Sequence, residues 1–294
     1  MTSRAARVHC FPRDARLARR VAARAGLACA KIRVHRFPDG ESMPLVASAP
    51  GKNAILVRAL DGQGANLFDT LLAADALRRA GARRVTLVAP YLPYMRQDKV
   101  FRPGEPISQR VIGDLLGRSF DRVITVEPHL HRIARLGEVV ACQADSITAA
   151  PAIAEWVKRN RRDSLVAGPD AESRPWIESI ARQADTASAV GVKHRDSDRR
   201  VRVRFAALAR RSRAIIVDDI ASSGATLAAA ARALRTRGIA AIDVIVVHAI
   251  FAPGAIARIR RAGVRRIISC DTIRHPTNAI SIAPLLAAAL ERKT

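Results

Sequence analysis

In the second half of the chain, short runs of β-branched residues alternate with alanine-rich segments whose apolar positions recur every three to four residues. Short unbroken apolar runs suit strands buried on both faces, and the three-to-four spacing suits helices that bury one side. Their alternation predicts β-α-β units around a parallel sheet. Strands are expected at 164–167, 201–204, 214–217, 241–248 and 265–269, with helices at 172–183, 224–237 and 254–262. The first half repeats the scheme, with strands near 31–34, 54–57, 83–88 and 121–126 and helices near 14–25, 64–80 and 107–116. Two similar α/β domains follow, residues 1–145 and 146–294, joined near 142–150, with room for the last helix to pack back on the first domain.

One long segment breaks the pattern. Residues 89–106, APYLPYMRQDKVFRPGEP, mix proline, aromatic and charged residues with neither a helical nor a strand period. Loops of this length inside compact domains are usually lids or binding loops.

The composition narrows the class. A chain of 294 residues with 49% hydrophobic content can bury two cores of roughly 150 residues each. Charged residues interrupt every apolar stretch before it reaches eighteen residues, so no membrane partner is expected. The arginine-rich start has no apolar block of signal-peptide length, which points to a cytoplasmic address. Cys10, Cys29, Cys142 and Cys270 are scattered without a CxxC pair and fit neither a zinc knuckle nor a disulfide framework. A net charge of +24 would ordinarily suggest nucleic acid. Here the lysines are few and the arginines run along the whole chain, with no single stripe interleaved with aromatics. We read that charge as compositional bias and expect no nucleic acid as a functional partner, although such a surface would steer phosphorylated ligands inward.

The sharpest motif runs from Ala214 to Leu227: an apolar strand, the carboxylates Asp218 and Asp219, then a turn of small and hydroxyl residues, Ser222, Ser223, Gly224, Ala225 and Thr226, that opens a helix. Backbone N–H groups at a helix start, aided by the helix dipole and three hydroxyls, suit a phosphate monoester. The two carboxylates can accept hydrogen bonds from vicinal sugar hydroxyls, which a phosphate-only site would not need. The plainer alternative is an ordinary helix cap after a buried strand, for which one such residue would suffice. This stretch resembles the phosphoribosyl-binding loop shared by phosphoribosyltransferases and ribose-phosphate pyrophosphokinases, and alone it does not separate them.

Two further segments do. Arg36-Phe37-Pro38-Asp39-Gly40-Glu41 and Pro90-Tyr91-Leu92-Pro93-Tyr94-Met95-Arg96-Gln97-Asp98, continued by Pro103-Gly104-Glu105-Pro106-Ile107-Ser108, resemble signatures of the ribose-phosphate pyrophosphokinases. The resemblance spans about residues 7 to 288 and implies two similar phosphoribosyltransferase-like domains, each a mainly parallel sheet flanked by helices. It implies that Phe37 stacks on the adenine of ATP, that Asp39 and Glu41 accept from its amino group or ribose, and that Arg96 and Gln97 grip the nucleotide. In the family the Phe37 loop reaches into a neighbouring subunit, so a homo-oligomer, dimer or larger, is expected. Read without the resemblance, Pro38-Asp39-Gly40 is also a plain turn.

Three more matches follow in order. Glu127-Pro128-His129 resembles the family's Asp-x-His segment and puts His129 beside Mg²⁺–ATP, with Glu127 in place of the usual aspartate. Gly168-Pro169-Asp170 resembles the metal segment and puts the Asp170 carboxylate on Mg²⁺, although Ala171-Glu172-Ser173-Arg174 replaces the usual glycine-rich continuation. Lys193-His194-Arg195 resembles the Lys-x-Arg catalytic segment, which would aim Lys193 and Arg195 at the transferring phosphoryl groups. The implied activity is that of a ribose-phosphate diphosphokinase in nucleotide biosynthesis: the C1 hydroxyl of ribose 5-phosphate attacks the β-phosphorus of ATP, and Mg²⁺ is the cofactor. Asp218, Asp219 and the Ser222, Ser223, Gly224, Ala225, Thr226 turn would hold the sugar phosphate. A phosphoribosyltransferase or a catalytically weak regulatory paralogue are the alternatives.

Overall fold

The computed structural model describes residues 6–46, 49–61, 64–130, 133–197, 200–206, 208–209 and 211–292, without the side chains of 65, 194–197, 200 and 201. The chain divides into two compact units, residues 1–147 with 283–294, and residues 148–282.

Unit 1 contains β1 (Ala6–Cys10), α1 (Ala15–Arg24), β2 (Ala28–Lys31), β3 (Arg33–Arg36), β4 (Ser42–Leu45), β5 (Asn53–Val57), α2 (Ala65–Arg79), β6 (Arg84–Ala89), α3 (Ser108–Ser119), β7 (Arg122–Val126) and β8 (Gln143–Ile147). Six of these strands form one sheet in the order β2-β1-β5-β6-β7-β8, parallel throughout. The antiparallel hairpin β3-β4 stands apart from it. The sheet's apolar runs are buried because helices cover them: Leu56, Val57, Leu87 and Val88 are fully enclosed. Such near-continuous apolar strands are what a parallel sheet covered on both faces requires.

Unit 2 contains α4 (Ala150–Asn160), β9 (Ser164–Gly168), α5 (Arg174–Ala184), β10 (Ser188–Val190), β11 (Val192–Ser197), β12 (Arg200–Arg204), β13 (Arg213–Ala221), α6 (Ala225–Arg235), β14 (Ala241–Ala249), α7 (Ala255–Arg261), β15 (Val264–Cys270) and β16 (Asn278–Ile280). The last helix, α8 (Ala283–Glu291), belongs to unit 1, where its Ala289 carbonyl accepts a hydrogen bond from Arg122 Nη2 at 2.9 Å. The second sheet is again six-stranded and parallel, in the order β10-β9-β13-β14-β15-β16, and β11-β12 is again a separate antiparallel hairpin. Leu165, Ile216, Val244 and Leu234 are fully enclosed in its core.

The two expected parallel-sheet α/β domains are therefore present. Several details differ from expectation. The single strand expected at 31–34 is the end of β2 and the start of β3, with the buried Ile32 turning the chain between two sheets. The expected joint at 142–150 contains β8, a half-buried edge strand that pairs with β7. Lys193, for which no strand is expected, lies within β11, which extends to Ser197 because β12 pairs along it. Residues 90–107, the expected irregular segment, contain only turns and bends. The four cysteines are free, and no helix among the described residues is long and apolar enough to cross a membrane.

Candidate active site

In unit 2 the chemistry gathers at the carboxyl ends of β9 and β13. These strands run side by side, Ile216 opposite Ala167, so Asp218, still within β13, and Asp170, two residues past the end of β9, stand at neighbouring positions. Asp170 opens the short helical turn 171–173: its carboxylate accepts the Ser173 N–H at 3.3 Å, and its carbonyl accepts the Ser173 hydroxyl at 2.6 Å. The Glu172-Ser173 departure thus supplies the cap that holds Asp170 in place. From β11, Lys193 Nζ donates to the other carboxylate oxygen at 3.2 Å, with the two side chains 25% and 21% exposed. The backbone of Arg195 pairs with Val201, and its side chain lies outside the described residues.

Asp218 is half-buried. Burial of its carboxyl, then the charges of Asp219 and Asp170, raise its pKa well above the usual carboxylate range, against the opposing pull of Lys193 and of the Asp219 N–H. That N–H donates to Asp218 at 3.2 Å, and Asp219 in turn accepts the Ile220 N–H at 2.7 Å. Two acids in one small space, with Lys193 as the opposing charge on Asp218, define a place that favours hydroxyl or cation partners.

The turn that follows is held from outside. The Ser222 carbonyl accepts the Ala252 N–H at 3.0 Å, and the Ser223 carbonyl accepts Arg258 Nη1 at 2.6 Å. Gly224 has φ +71°, and a Cβ there would lie 2.9 Å from Ile259 Cγ1 and 3.1 Å from the Ala255 carbonyl. A glycine is needed for both reasons. It brings no side chain to cap α6; among the described residues Ser223 Oγ accepts only the Ala225 N–H, at 3.4 Å. The N–H groups of Thr226 and Leu227 have no partner among the described residues. An uncapped helix start carries partial positive charge and free donors, the elements of an anion cradle.

The remaining candidates lie in unit 1. Phe37, Asp39 and Glu41 form the tip of the β3-β4 hairpin, closed by Phe37 N–H to the Glu41 carbonyl at 2.9 Å and Gly40 N–H to the Phe37 carbonyl at 3.0 Å. Asp39 accepts the Glu41 N–H at 3.0 Å, so one of its oxygens already shapes the tip. Phe37 is 39% exposed, with its ring 4.6 Å from that of His35 at 83°. The hairpin base is tied to α2, because Asp69 accepts both Arg36 at 3.2 Å and the Ser42 hydroxyl. Arg96 is exposed and makes no hydrogen bond or ion pair among the described residues, while Gln97 donates to Glu105 at 3.2 Å. Glu105 also accepts the N–H groups of Phe101 and Arg102 at 3.0 and 3.1 Å, so a carboxylate inside the loop fixes its shape. His129 is half-buried just beyond β7, two residues after Glu127, whose φ is +38°.

The sequence reading missed a polar cluster at the matching strand end of unit 1. Arg58, 5% exposed, donates to Asp14 at 3.2 Å and to Asn66 at 2.5 Å, and lies 4.1 Å over the Phe11 ring. Arg13 pairs with the buried Asp61 at 2.5 Å. No spacing signal marks this cluster, since Arg58 and Asp14 are 44 residues apart.

Among the described residues no group of three or more His, Cys, Asp or Glu side chains could hold a metal on its own. That suits Mg²⁺ arriving with a phosphorylated ligand, since Mg²⁺ keeps waters, shares phosphate oxygens and needs only one or two carboxylates. Asp170 and the neighbouring Asp218 and Asp219 offer the hard oxygens required.

Residues 143–282, which hold this helix start and the acids beside it, match the phosphoribosyl transferase domain family. Residues 8–119 match the N-terminal domain of ribose phosphate pyrophosphokinase. A ribose-phosphate pyrophosphokinase of Methanopyrus kandleri is 30% identical over 284 residues, covering 94% of this chain and 95% of that protein. One from Pyrococcus abyssi is 33% identical, covering 89% and 91%. The solved phosphoribosylpyrophosphate synthetase of Mycobacterium smegmatis shares the fold, with a TM-score of 0.79 at 24% identity over 97% of each chain. The chain belongs to the ribose-phosphate pyrophosphokinase family.

Proposed function

We propose that the protein transfers the pyrophosphoryl group of Mg²⁺–ATP to the C1 hydroxyl of ribose 5-phosphate, giving phosphoribosyl pyrophosphate and AMP. The observation that carries this reading is the conjunction in unit 2 of an uncapped helix start with Asp218, Asp219, Asp170 and Lys193. In it the Ser222, Ser223, Gly224, Ala225 and Thr226 turn binds the 5-phosphate by N–H and hydroxyl donors, while Asp218 and Asp219 accept from the ribose hydroxyls. Asp218, with its raised pKa, gains a donor for its charged form when the sugar binds.

Phe37, Asp39, Glu41, Arg96 and Gln97 are assigned to ATP. Arg96 is exposed and has no partner among the described residues to give up when it meets phosphate, and the exposed Phe37 ring offers a stacking face. Asp170 and His129 are the metal-facing residues, His129 through water. Mg²⁺ would withdraw charge from the phosphoryl oxygens it shares. Lys193 and Arg195 supply cations where charge grows on the β-phosphoryl group, and no covalent enzyme intermediate is needed.

Self-association and a cytoplasmic address belong to the same reading. Phe68 on α2 and Val111 on α3 are 67% and 60% exposed, large apolar surfaces of the kind that a subunit contact covers. Sedimentation should give a dimer or larger assembly.

The deciding experiment supplies purified protein with Mg²⁺, ATP and ribose 5-phosphate and no nucleobase. AMP and a 1-pyrophosphorylated sugar should appear, and label at the β-phosphorus should travel to the sugar. Turnover that begins only when phosphoribosyl pyrophosphate and a base are added would reassign the protein to base transfer.

A further inference from the structure

The opposite end of the unit-2 sheet carries a second concentration of charge. At the N-terminal ends of β9, β13, β14 and β15, a cavity of about 180 Å³ is lined by Arg161, Ser164, Arg213, Asp243, Arg265 and Arg266, together with two alanines. Arg161 is committed, donating to Asp243 at 2.9 Å and to the Asn160 carbonyl at 2.7 Å. The guanidinium groups of Arg213, Arg265 and Arg266 make no hydrogen bond or ion pair among the described residues. Four arginines against one carboxylate leave three positive charges around a small concave space.

The backbone builds this convergence. β14 and β15 pair with Ile242 opposite Val264 and Asp243 opposite Arg266, so Arg265 is an extra residue in β15. In an unbroken strand, neighbours such as Arg265 and Arg266 would face opposite sides of the sheet. A bulge re-aims them, and here both line one cavity. Its walls are fixed, for Ser164 is 1% and Asp243 8% exposed. Arg213 opens β13, five residues before Asp218, which is roughly 17 Å along an extended strand. A phosphate in the Ser222–Thr226 turn cannot also occupy this cavity.

We infer that the cavity is a binding site for a phosphate-type oxyanion, separate from the candidate active site. Planar guanidinium forks match the paired oxygens of phosphate, and a surplus of three positive charges calls for a dianion or more, beyond what a single carboxylate would neutralise. The volume admits inorganic phosphate or pyrophosphate whole, or the phosphate end of a nucleotide whose base stays outside. The inference rests on the β15 bulge and the unpaired arginines and is independent of the reaction assigned to Asp218 and Lys193.

Equilibrium dialysis with labelled phosphate, pyrophosphate and AMP tests it, in protein carrying Ser223→Val and Thr226→Val so that the turn beside α6 does not compete. Measurements belong at about 0.15 M ionic strength, where exposed charges are largely screened. Adding Arg265→Ala and Arg266→Ala should weaken binding by about tenfold or more, the loss expected for charge-assisted hydrogen bonds. Arg110→Ala with Arg118→Ala, an equal charge change on exposed helix positions of unit 1, should leave it within about twofold. Whichever of the three ligands loses most names the source. Equal losses in both double variants, or no binding in the starting protein, would overturn the site. The Arg265→Ala, Arg266→Ala change in an otherwise unaltered chain should still release AMP, so this failure and a failure of the proposed reaction are read separately.

Discussion

The two units share one plan and spend it differently. Each sheet places its first strand between the second and the third, and each inserts an antiparallel hairpin after the second, β3-β4 in unit 1 and β11-β12 in unit 2. Seven residues, 58–64, join β5 to α2, whereas β13 runs on to Ala221 and only three residues, 222–224, lead to α6; both joins end in glycine. The chemistry is opposite. Unit 1 begins its join with Arg58, whose two terminal nitrogens donate to Asp14 and Asn66, with Asp69 at 3.8 Å and the Phe11 ring beneath. In unit 2 the last stretch of β13 carries Asp218 instead, whose neighbours Asp219 and Asp170 are like charges. A buried cation among acids closes a loop on itself. Like charges beside helix N–H groups that have no partner among the described residues leave the other one locally unbalanced, and such imbalance concentrates at functional sites.

If Arg58 is a structural lock, removing it should produce the largest effect on stability. Arg58→Ala takes the paired cation from Asp14, whose side chain is 8% exposed, while Asp69 keeps Arg36 and Ser42, and breaking a buried pair from one side costs about 3–5 kcal/mol. Urea unfolding should show the midpoint falling sharply, whereas Asp218→Asn, which removes a poorly opposed charge, should hold or raise it. A small effect at Arg58 together with a large loss at Asp218 would reverse the comparison.

Lys193→Ala sharpens it from the other side. The ammonium is tied to Asp170, and if it acts on developing charge, turnover should fall about 10²–10³-fold with ATP affinity little changed. Unchanged turnover removes Lys193 from the mechanism. The cradle comes next: Ser223→Val with Thr226→Val should raise the KM for ribose 5-phosphate about tenfold, the loss of one or two hydrogen bonds to a charged ligand, and leave ATP binding intact by calorimetry. An equal loss for ATP would mean that the turn holds the other substrate.

Much of this was legible in the sequence because it is local. The strand, the paired acids and the hydroxyl turn of 214–227 are contiguous, and their order alone implies a strand end, an acidic rim and a helix start. The missed strands are those whose apolar pattern is short or diluted: β8 reads Gln-Ala-Asp-Ser-Ile and stays half-buried at a sheet edge, and β16 has three residues. Long-range chemistry was not legible at all. The ion pair of Arg58 with Asp14 spans 44 residues, and the pairing of Arg161 with Asp243 spans 82. The two arginines of β15 look like ordinary strand neighbours until the register shift is seen.

The smallest predicted difference is also the cleanest, because it changes the same atom at matched positions. Gly64 ends the unit-1 join with φ −45° and open space where a Cβ would go. Alanine there should be neutral or stabilising by about 0.4–1 kcal/mol, since it restricts the unfolded chain and strains nothing. Gly224 ends the unit-2 join with φ +71°, facing Ile259 and the Ala255 carbonyl. Alanine there must adopt a left-handed conformation that costs about 1–2 kcal/mol, and its Cβ must push Ile259 aside. The strained turn would also tilt the N–H groups of Thr226 and Leu227, so Gly224→Ala should weaken ribose 5-phosphate binding as well as lower the melting temperature, while Gly64→Ala does neither. Paired thermal melts and sugar-phosphate titrations of the two variants decide it. Equal shifts at both glycines would mean that the left-handed turn before α6 serves no purpose beyond closing the loop.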